Sequence, residues 1–208
     1  MTKAAPALGL FGGRFDPVHR MHLRLAAAAA DQLGLPQVHW LVTGQPVHKP
    51  AEASSKDRLE MTRLALQWLN DPRMVLNDRE VQWANQGLTN ASYRTIESFR
   101  EEFPDRRLVW ILGQDQLAFF TQWQRWDWIV QEVELAVCSR PSEQPDEAVA
   151  ELIRKDAILR KVVVEPDNVS STQIREQLRR GWAVFDQDLV CPPVARYLQT
   201  QLPYSSSH

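Results

Sequence analysis

Between Arg107 and Gly113 the chain reads RLVWILG, and between Ala7 and Phe11 it reads ALGLF. Runs of strand length with so few polar residues suit strands buried on both faces, as in parallel sheets. VHWLVT (Val38 to Thr43), VELAVCSR (Val133 to Arg140) and KVVVEP (Lys161 to Pro166) repeat the pattern. RMVLND (Arg73 to Asp78) reads as a short strand, and EVQW (Glu80 to Trp83) as the arm that would make it a hairpin. Segments of helical period lie between these runs: HLRLAAAAADQLG (His22 to Gly34), KDRLEMTRLALQWLN (Lys56 to Asn70), a stretch from about Tyr93 to Phe103, and SSTQIREQLRRG (Ser170 to Gly181). The first and last end at glycine, and the last starts at serines that can cap it. Alternation of this kind predicts an α/β fold, a doubly wound Rossmann-like parallel sheet with helices on both faces and a small C-terminal helical part.

A chain of 208 residues without a Gly- or Ser-rich linker is expected to form a single domain over 1–204. A helical subregion would run over about 167–204, the tail 205–208 would be disordered, and SRPSEQPDE (Ser139 to Glu147) would be a long surface loop. Cys138 and Cys191 stand far apart with no CxxC, which suggests neither a disulfide framework nor a zinc knuckle and fits a reducing cytoplasm. No apolar run approaches the roughly 20 residues that span a bilayer, so no membrane partner is expected. A net charge of -2 argues against a general nucleic-acid binder. Phosphate binding would therefore need a local cluster of cations, and Arg14, His19, Arg20, His22 and Arg24 supply one.

That cluster sits in GLFGGRFDPVHRMHL (Gly9 to Leu23), where the first strand leads into the first helix. Ligands of doubly wound folds bind at such exits. Gly12 and Gly13 allow a tight turn and close approach of a ligand to the backbone. His22 falls in or near the first helical turn, whose N–H groups and dipole favour an anion, and His19 precedes it on the loop. Two imidazoles there can donate hydrogen bonds to a polyphosphate, and their protonated forms would offset its charge. The pair also admits a metal-binding reading, with His48 as a third ligand, and a purely structural one as cap and core residues. A P-loop and a redox dinucleotide fingerprint are both missing.

GGRFDPVHRMHL resembles the GGTFDPxHxGHL signature of HxGH-motif nucleotidyltransferases, and VSSTQIREQL (Val169 to Leu178) resembles their second signature, ISSTxIRxxL. GQPVHKP (Gly44 to Pro50), RLEMTRLAL (Arg58 to Leu66), VWILGQDQLAFFTQWQRWDWI (Val109 to Ile129), CSRPS and CPPVARYLQTQLPY (Cys191 to Tyr204) are similar to segments of the bacterial nicotinate mononucleotide adenylyltransferases, so the resemblance covers nearly the whole chain. It implies transfer of AMP from ATP, with Mg2+, to nicotinate mononucleotide, giving nicotinic acid adenine dinucleotide and pyrophosphate in NAD biosynthesis. Catalysis of that kind is mostly positioning and electrostatic stabilisation.

By the same resemblance, His19, His22 and Arg175 are the catalytic residues. Gly12, Gly13, Arg14, Phe15, Asp16, Met21, Ser171, Thr172 and Lys49 would surround ATP and its phosphates, while Ser92, Asp115, Trp123 and His48 would serve the acceptor, Trp123 by stacking on the pyridine ring and Asp115 by contacting ribose hydroxyls. No protein metal site is implied. The residues alone leave other readings open: Lys49 as a solvated loop lysine, Asp16 as a turn former before Pro17, and Trp123 as a packing residue. The chain departs from the family pattern at Met21, where HxGH has glycine, at Arg14, where GGTFDP has threonine, and in TNASYRTI (Thr89 to Ile96), which places Ala91 and Ser92 at a Tyr-Thr pair. These departures keep two alternatives in view: the same chemistry with another base or acceptor, such as nicotinamide mononucleotide, and a nucleotide-binding protein without catalysis. A homo-oligomer is left open.

Overall fold

The computed structural model describes residues 6–46, 50–139, 152, 154–165 and 167–204. Strands β1 (Ala7–Gly13), β2 (Val38–Val42), β3 (Met74–Asn77), β4 (Arg107–Gly113), β5 (Val133–Ser139) and β6 (Leu159–Val163) form one sheet in the order β3-β2-β1-β4-β5-β6. All neighbours are parallel, and β1 lies centrally with Phe11 opposite Trp40 on β2 and Ile111 on β4. The chain winds outward from β1 to β3, then returns to β4 and winds the other way. The two directions diverge between β1 and β4, and a crevice opens there at the carboxyl ends.

Alternate residues of β1 face opposite cores. Ala7 and Phe11 join a cluster under α1 (Arg20–Leu33), α2 (Ser55–Leu69), α7 (Ser171–Arg180) and α8 (Pro192–Gln201). Leu8 and Leu10 join the other, under α4 (Ser92–Glu102), α5 (Gln114–Leu117) and α6 (Trp126–Glu132). Three alanines of the run after His22, namely Ala26, Ala29 and Ala30, are buried, which lets α1 lie close on the sheet. Gly34 ends that helix at φ 61°, a conformation costly for other residues, with its N–H on the Ala30 carbonyl.

The hairpin expected at EVQW is not formed: Arg79–Asn85 is a helix, α3. Four alternating residues cannot separate the two periods, and tertiary anchors choose the helix. Glu80 is buried and accepts a hydrogen bond from Thr95 Oγ1 (2.7 Å), and a Cβ on Gly44 would stand 2.2 Å from the Glu80 carbonyl. Ser139 closes β5, while the rest of the expected loop SRPSEQPDE, the tail 205–208, His48 and Lys49 lie outside the described residues.

One side chain fixes the loops above the sheet. Arg58 of α2 is 1% exposed, and its guanidinium donates to four backbone carbonyls: Arg14 (2.9 Å), Thr43 (2.6 Å), Gly44 (2.9 Å) and Ala53 (3.3 Å). Arg58→Leu should orphan those carbonyls and lower the unfolding free energy by about 3 kcal/mol or more. Equilibrium urea denaturation measures this, and an unchanged midpoint would show that the cage is not structural.

Candidate functional site

The crevice holds a cleft of about 440 Å3 lined by the end of β1 (Phe11 to Gly13), the loop Arg14 to Asp16, the first turns of α1, the start of α5 and the N-terminus of α7. His19 caps α1 and His22 lies in its first turn, both on the cleft wall. The rings stack at 3.7 Å between centroids, and Phe15 meets His22 edge-on at 5.1 Å. The His19 backbone N–H donates to His22 Nδ1 at 3.2 Å. Because Nδ1 accepts, the neutral His22 ring carries its proton on Nε2, which makes Nε2 the donor available to a ligand. Nδ1 of His19 is buried with no hydrogen-bond partner among the described residues, an arrangement that a polar ligand would relieve.

Burial also decides the charge of the pair. It pushes the His19 pKa down to about 4, with Asp167 opposing, and holds His22 well below its ordinary value, with the neighbouring His19 adding to the shift. In the unliganded fold burial therefore favours the neutral form of both rings, so that any charge the imidazoles offer an anion has to be induced by the anion itself. The helix dipole at the start of α1 and Arg14 on the cleft wall also favour an anion.

Gly12 and Gly13 both line the cleft, and packing places a further demand on them. A Cβ on Gly12 would come within 3.0 Å of the Trp110 ring, and one on Gly13 within 2.9 Å of the Phe15 ring. Aromatic packing beneath the strand exit thus already requires glycine at both positions. Phe15 itself is 2% exposed at φ 49°, so its main role is to support the His22 ring.

Asp16 lines the cleft and also holds the framework around it. It is buried; Oδ2 accepts from the Glu52 N–H (2.9 Å), and Oδ1 from the Ala53 N–H (3.1 Å) and the Tyr204 hydroxyl (2.9 Å). The Asp16–Pro17 peptide is cis. Arg175 turns away from the cleft. Its guanidinium donates to the Asp16 carbonyl (2.6 Å) and Glu52 Oε1 (2.8 Å), and the residue is buried outside the cleft lining. An ion pair to Glu52 and a carbonyl occupy donors that the sequence reading assigned to phosphates. Thr172 is exposed next to it, 3.5 Å from Arg175 Nη2, and is not part of the lining.

Ser171 does reach the cleft, but its hydroxyl donates to the Pro17 carbonyl (3.0 Å), which ties the N-terminus of α7 to the loop after β1. Met21 and Leu25 line an apolar end of the cleft together with Cys138, Val164 and Val169. Asp115 also lines the cleft, exposed at the start of α5. Trp123 packs against Trp110 (6.1 Å, edge-on) and Phe120 (4.9 Å) and stays outside the lining, one ring removed from Gly12. Ser92 opens α4 just after Asn90, which accepts from the Gln45 N–H (2.9 Å) and donates to the Glu80 carbonyl (2.8 Å).

Sequence reasoning missed Asp167. It lines the cleft and accepts from Arg20 Nε (2.7 Å) and Nη2 (3.0 Å) and from Arg24 Nη1 (3.0 Å). The pairing spans more than 140 residues, so no local pattern could have revealed it. Arg58, Asn90 and Tyr204 were missed as framework residues for the same reason. Among the described residues no group of three or more His, Cys, Asp or Glu could hold a metal ion, and no helix is long and apolar enough to cross a membrane.

Residues 10–177 match the family described as cytidylyltransferase-like. A protein of Neisseria meningitidis serogroup B named "Probable nicotinate-nucleotide adenylyltransferase" is 37% identical over 199 residues, 92% of this chain and 95% of that one. One of the same name from Laribacter hongkongensis is 38% identical over 215 residues, 96% and 95% of the two chains. In fold the chain is similar to a nicotinic acid mononucleotide adenylyltransferase of Plasmodium falciparum complexed with NaAD (TM-score 0.78, 16% identity, 96% of this chain and 97% of that one).

The low folded-state pKa values set a pH dependence. A histidine whose pKa falls from 6.5 to about 4 on folding, as for His19 and the buried His39, binds protons more readily when unfolded. Its contribution to stability is complete above pH 6.5 and is lost as the pH drops toward 4. Chemical denaturation across that window should show the loss, and His39→Asn should remove part of it; a flat profile would contradict neutral burial.

Proposed function

Because the chain belongs to the cytidylyltransferase-like family, we infer that it transfers AMP from ATP to nicotinate mononucleotide, releasing pyrophosphate and nicotinic acid adenine dinucleotide in NAD biosynthesis. The observation that carries this reading is the His19–His22 pair at the N-terminus of α1, set in the switch-point cleft opposite the N-terminus of α7. The whole of 1–204 is read as one nucleotidyltransferase domain.

The reaction joins the acceptor 5′-phosphate to the α-phosphorus of ATP and breaks the bond to the bridging oxygen of pyrophosphate. In this reading the N-terminus of α1 and the Nε2–H of His22 hold the triphosphate, and Arg14, which also donates to the Pro50 carbonyl (3.4 Å), adds positive charge. His19 lines the same cleft, its ring stacked on His22. As negative charge builds on the leaving group, the donors already point at it, so little reorganisation is needed.

A divalent cation, proposed to be Mg2+, would neutralise part of that charge. The cleft fits an ion that arrives on the triphosphate rather than one held in a protein cage: Asp16 has its oxygens committed, Asp167 is shared by two arginines, and Asp115 alone is an exposed carboxylate. Asp115 faces the ribose in this reading. The base takes the apolar end, where Met21 and Leu25 lie one helical turn apart. Trp123, Ser92 and His48 serve the acceptor, and Lys49 the phosphates of ATP. Arg175 acts as a positioning residue, through Asp16 and Glu52.

Pyrophosphate release from ATP and Mg2+ should be strong with nicotinate mononucleotide and weak with nicotinamide mononucleotide; no release with either would refute the reading. His22→Ala should lower turnover by about 100-fold or more while ATP binding stays measurable by calorimetry. Met21→Gly should raise the KM for ATP several-fold with little change in the KM for the acceptor, since it removes a wall of the base pocket alone. An unchanged KM for ATP would move the base elsewhere.

A further inference from the structure

Helix α1 is a wall shared by two cavities. His19, His22 and Leu25 line the reaction cleft, whereas Arg20 and Arg24 line a second, larger cleft of about 790 Å3 between α1, the end of α2, the segment around Trp182 and Asp188, and α8. Its volume lies within the range of small-molecule sites. Trp68, on the last turn of α2, is 53% exposed there, a large aromatic face that the fold leaves open. Trp182 lines the same space, braced by Phe185 at 5.1 Å. Arg196 of α8 adds a third guanidinium, and against the three stand Asp188 in the lining and Asp167 behind it.

We propose that this second cleft binds a planar aromatic anion of nucleotide size, its ring against Trp68 and Trp182 and its phosphate on Arg24 and Arg196, and that its occupation weakens phosphate binding in the reaction cleft. Aromatic faces with guanidinium groups around one concavity are the recognition chemistry of an aryl phosphate. The cavity is concave and mixed in character, which suits such a ligand better than a flat contact with another chain.

The coupling runs through Asp167. Its carboxylate lines the reaction cleft, yet its cations come from the other side of α1: Arg20 by a two-point contact, Arg24 by a single hydrogen bond of 3.0 Å from a side chain that is 54% exposed. An anion that draws Arg24 into the second cleft leaves Asp167 less neutralised beside the bound phosphates. Repulsion there disfavours ATP, and by linkage ATP must disfavour the second ligand by the same factor. This antagonism rests on the assignment of the reaction cleft to ATP, whereas the binding itself does not.

The test is calorimetric titration of the whole chain with 1-naphthyl phosphate, an aromatic phosphate without a ribose. Saturable binding should weaken about tenfold in Trp68→Ala and in Arg196→Glu, which costs the site about 1.4 kcal/mol, and should persist in His19→Ala. Both second-cleft variants should keep the parent's turnover and circular dichroism. A non-hydrolysable ATP analogue should weaken the binding. No saturable binding, or binding lost in His19→Ala but not in Trp68→Ala, would overturn the site. A dimer in sedimentation that Trp68→Ala dissociates would assign the cleft to a second copy instead. Binding that ATP does not affect, in a chain that releases pyrophosphate, would overturn the antagonism alone; binding without pyrophosphate release would place the failure in the proposed reaction.

Discussion

The arrangement depends first on a buried carboxylate. Asp16 sits in the loop that follows β1, and its two oxygens collect the N–H groups of Glu52 and Ala53 and the hydroxyl of Tyr204. Three distant parts of the chain thereby meet at one anion. Its own carbonyl then receives Arg175, which also holds Glu52 and so brings α7 to the same point. A carboxylate out of water is tolerable only when its lone pairs are satisfied, and here they are. Arg58 completes the frame from below by gathering four carbonyls of the same loops. Charge in this protein is thus spent mainly on fixing backbone around the cleft.

This has an effect on the cleft itself. Arg175 and Asp16 are engaged in the frame, and burial favours the neutral form of both histidines. In the proposed reading, fixed dipoles, meaning the amides at the start of α1 and the Nε2–H of His22, act beside Arg14. Dipoles set in place by the fold do not need to reorganise as charge moves along a phosphate chain, and dry surroundings strengthen them. The stacked imidazoles and the Phe15 ring beneath them provide those surroundings.

Much of the fold could be read from the sequence, because the physics that sets it is local. RLVWILG has no polar face to offer and becomes the strand next to the center, and serine and glycine mark both ends of α7. EVQW misled because its four residues fit either period, and only the contacts of Glu80 with Thr95 and Gly44 decide. The histidine pair and its helix were also legible, since spacing and flanking glycines suffice to place them. The protonation of that pair was not, because desolvation depends on what packs around the rings. Arg175 shows the same limit: its motif gives the residue and the helix, but whether the guanidinium faces a ligand or Glu52 is settled by a loop more than a hundred positions earlier.

The bond from Tyr204 to Asp16 joins residues 188 positions apart. Synthesis runs from the first loop to the last, so the turn that carries the histidines waits, incomplete, for almost the entire chain to follow. Sheet strands can pair and helices can dock in the meantime, but the loop lacks one of the three donors that pin its carboxylate. The set of donors around the Asp16 carboxylate is therefore complete only once Tyr204, 188 positions later, has been made.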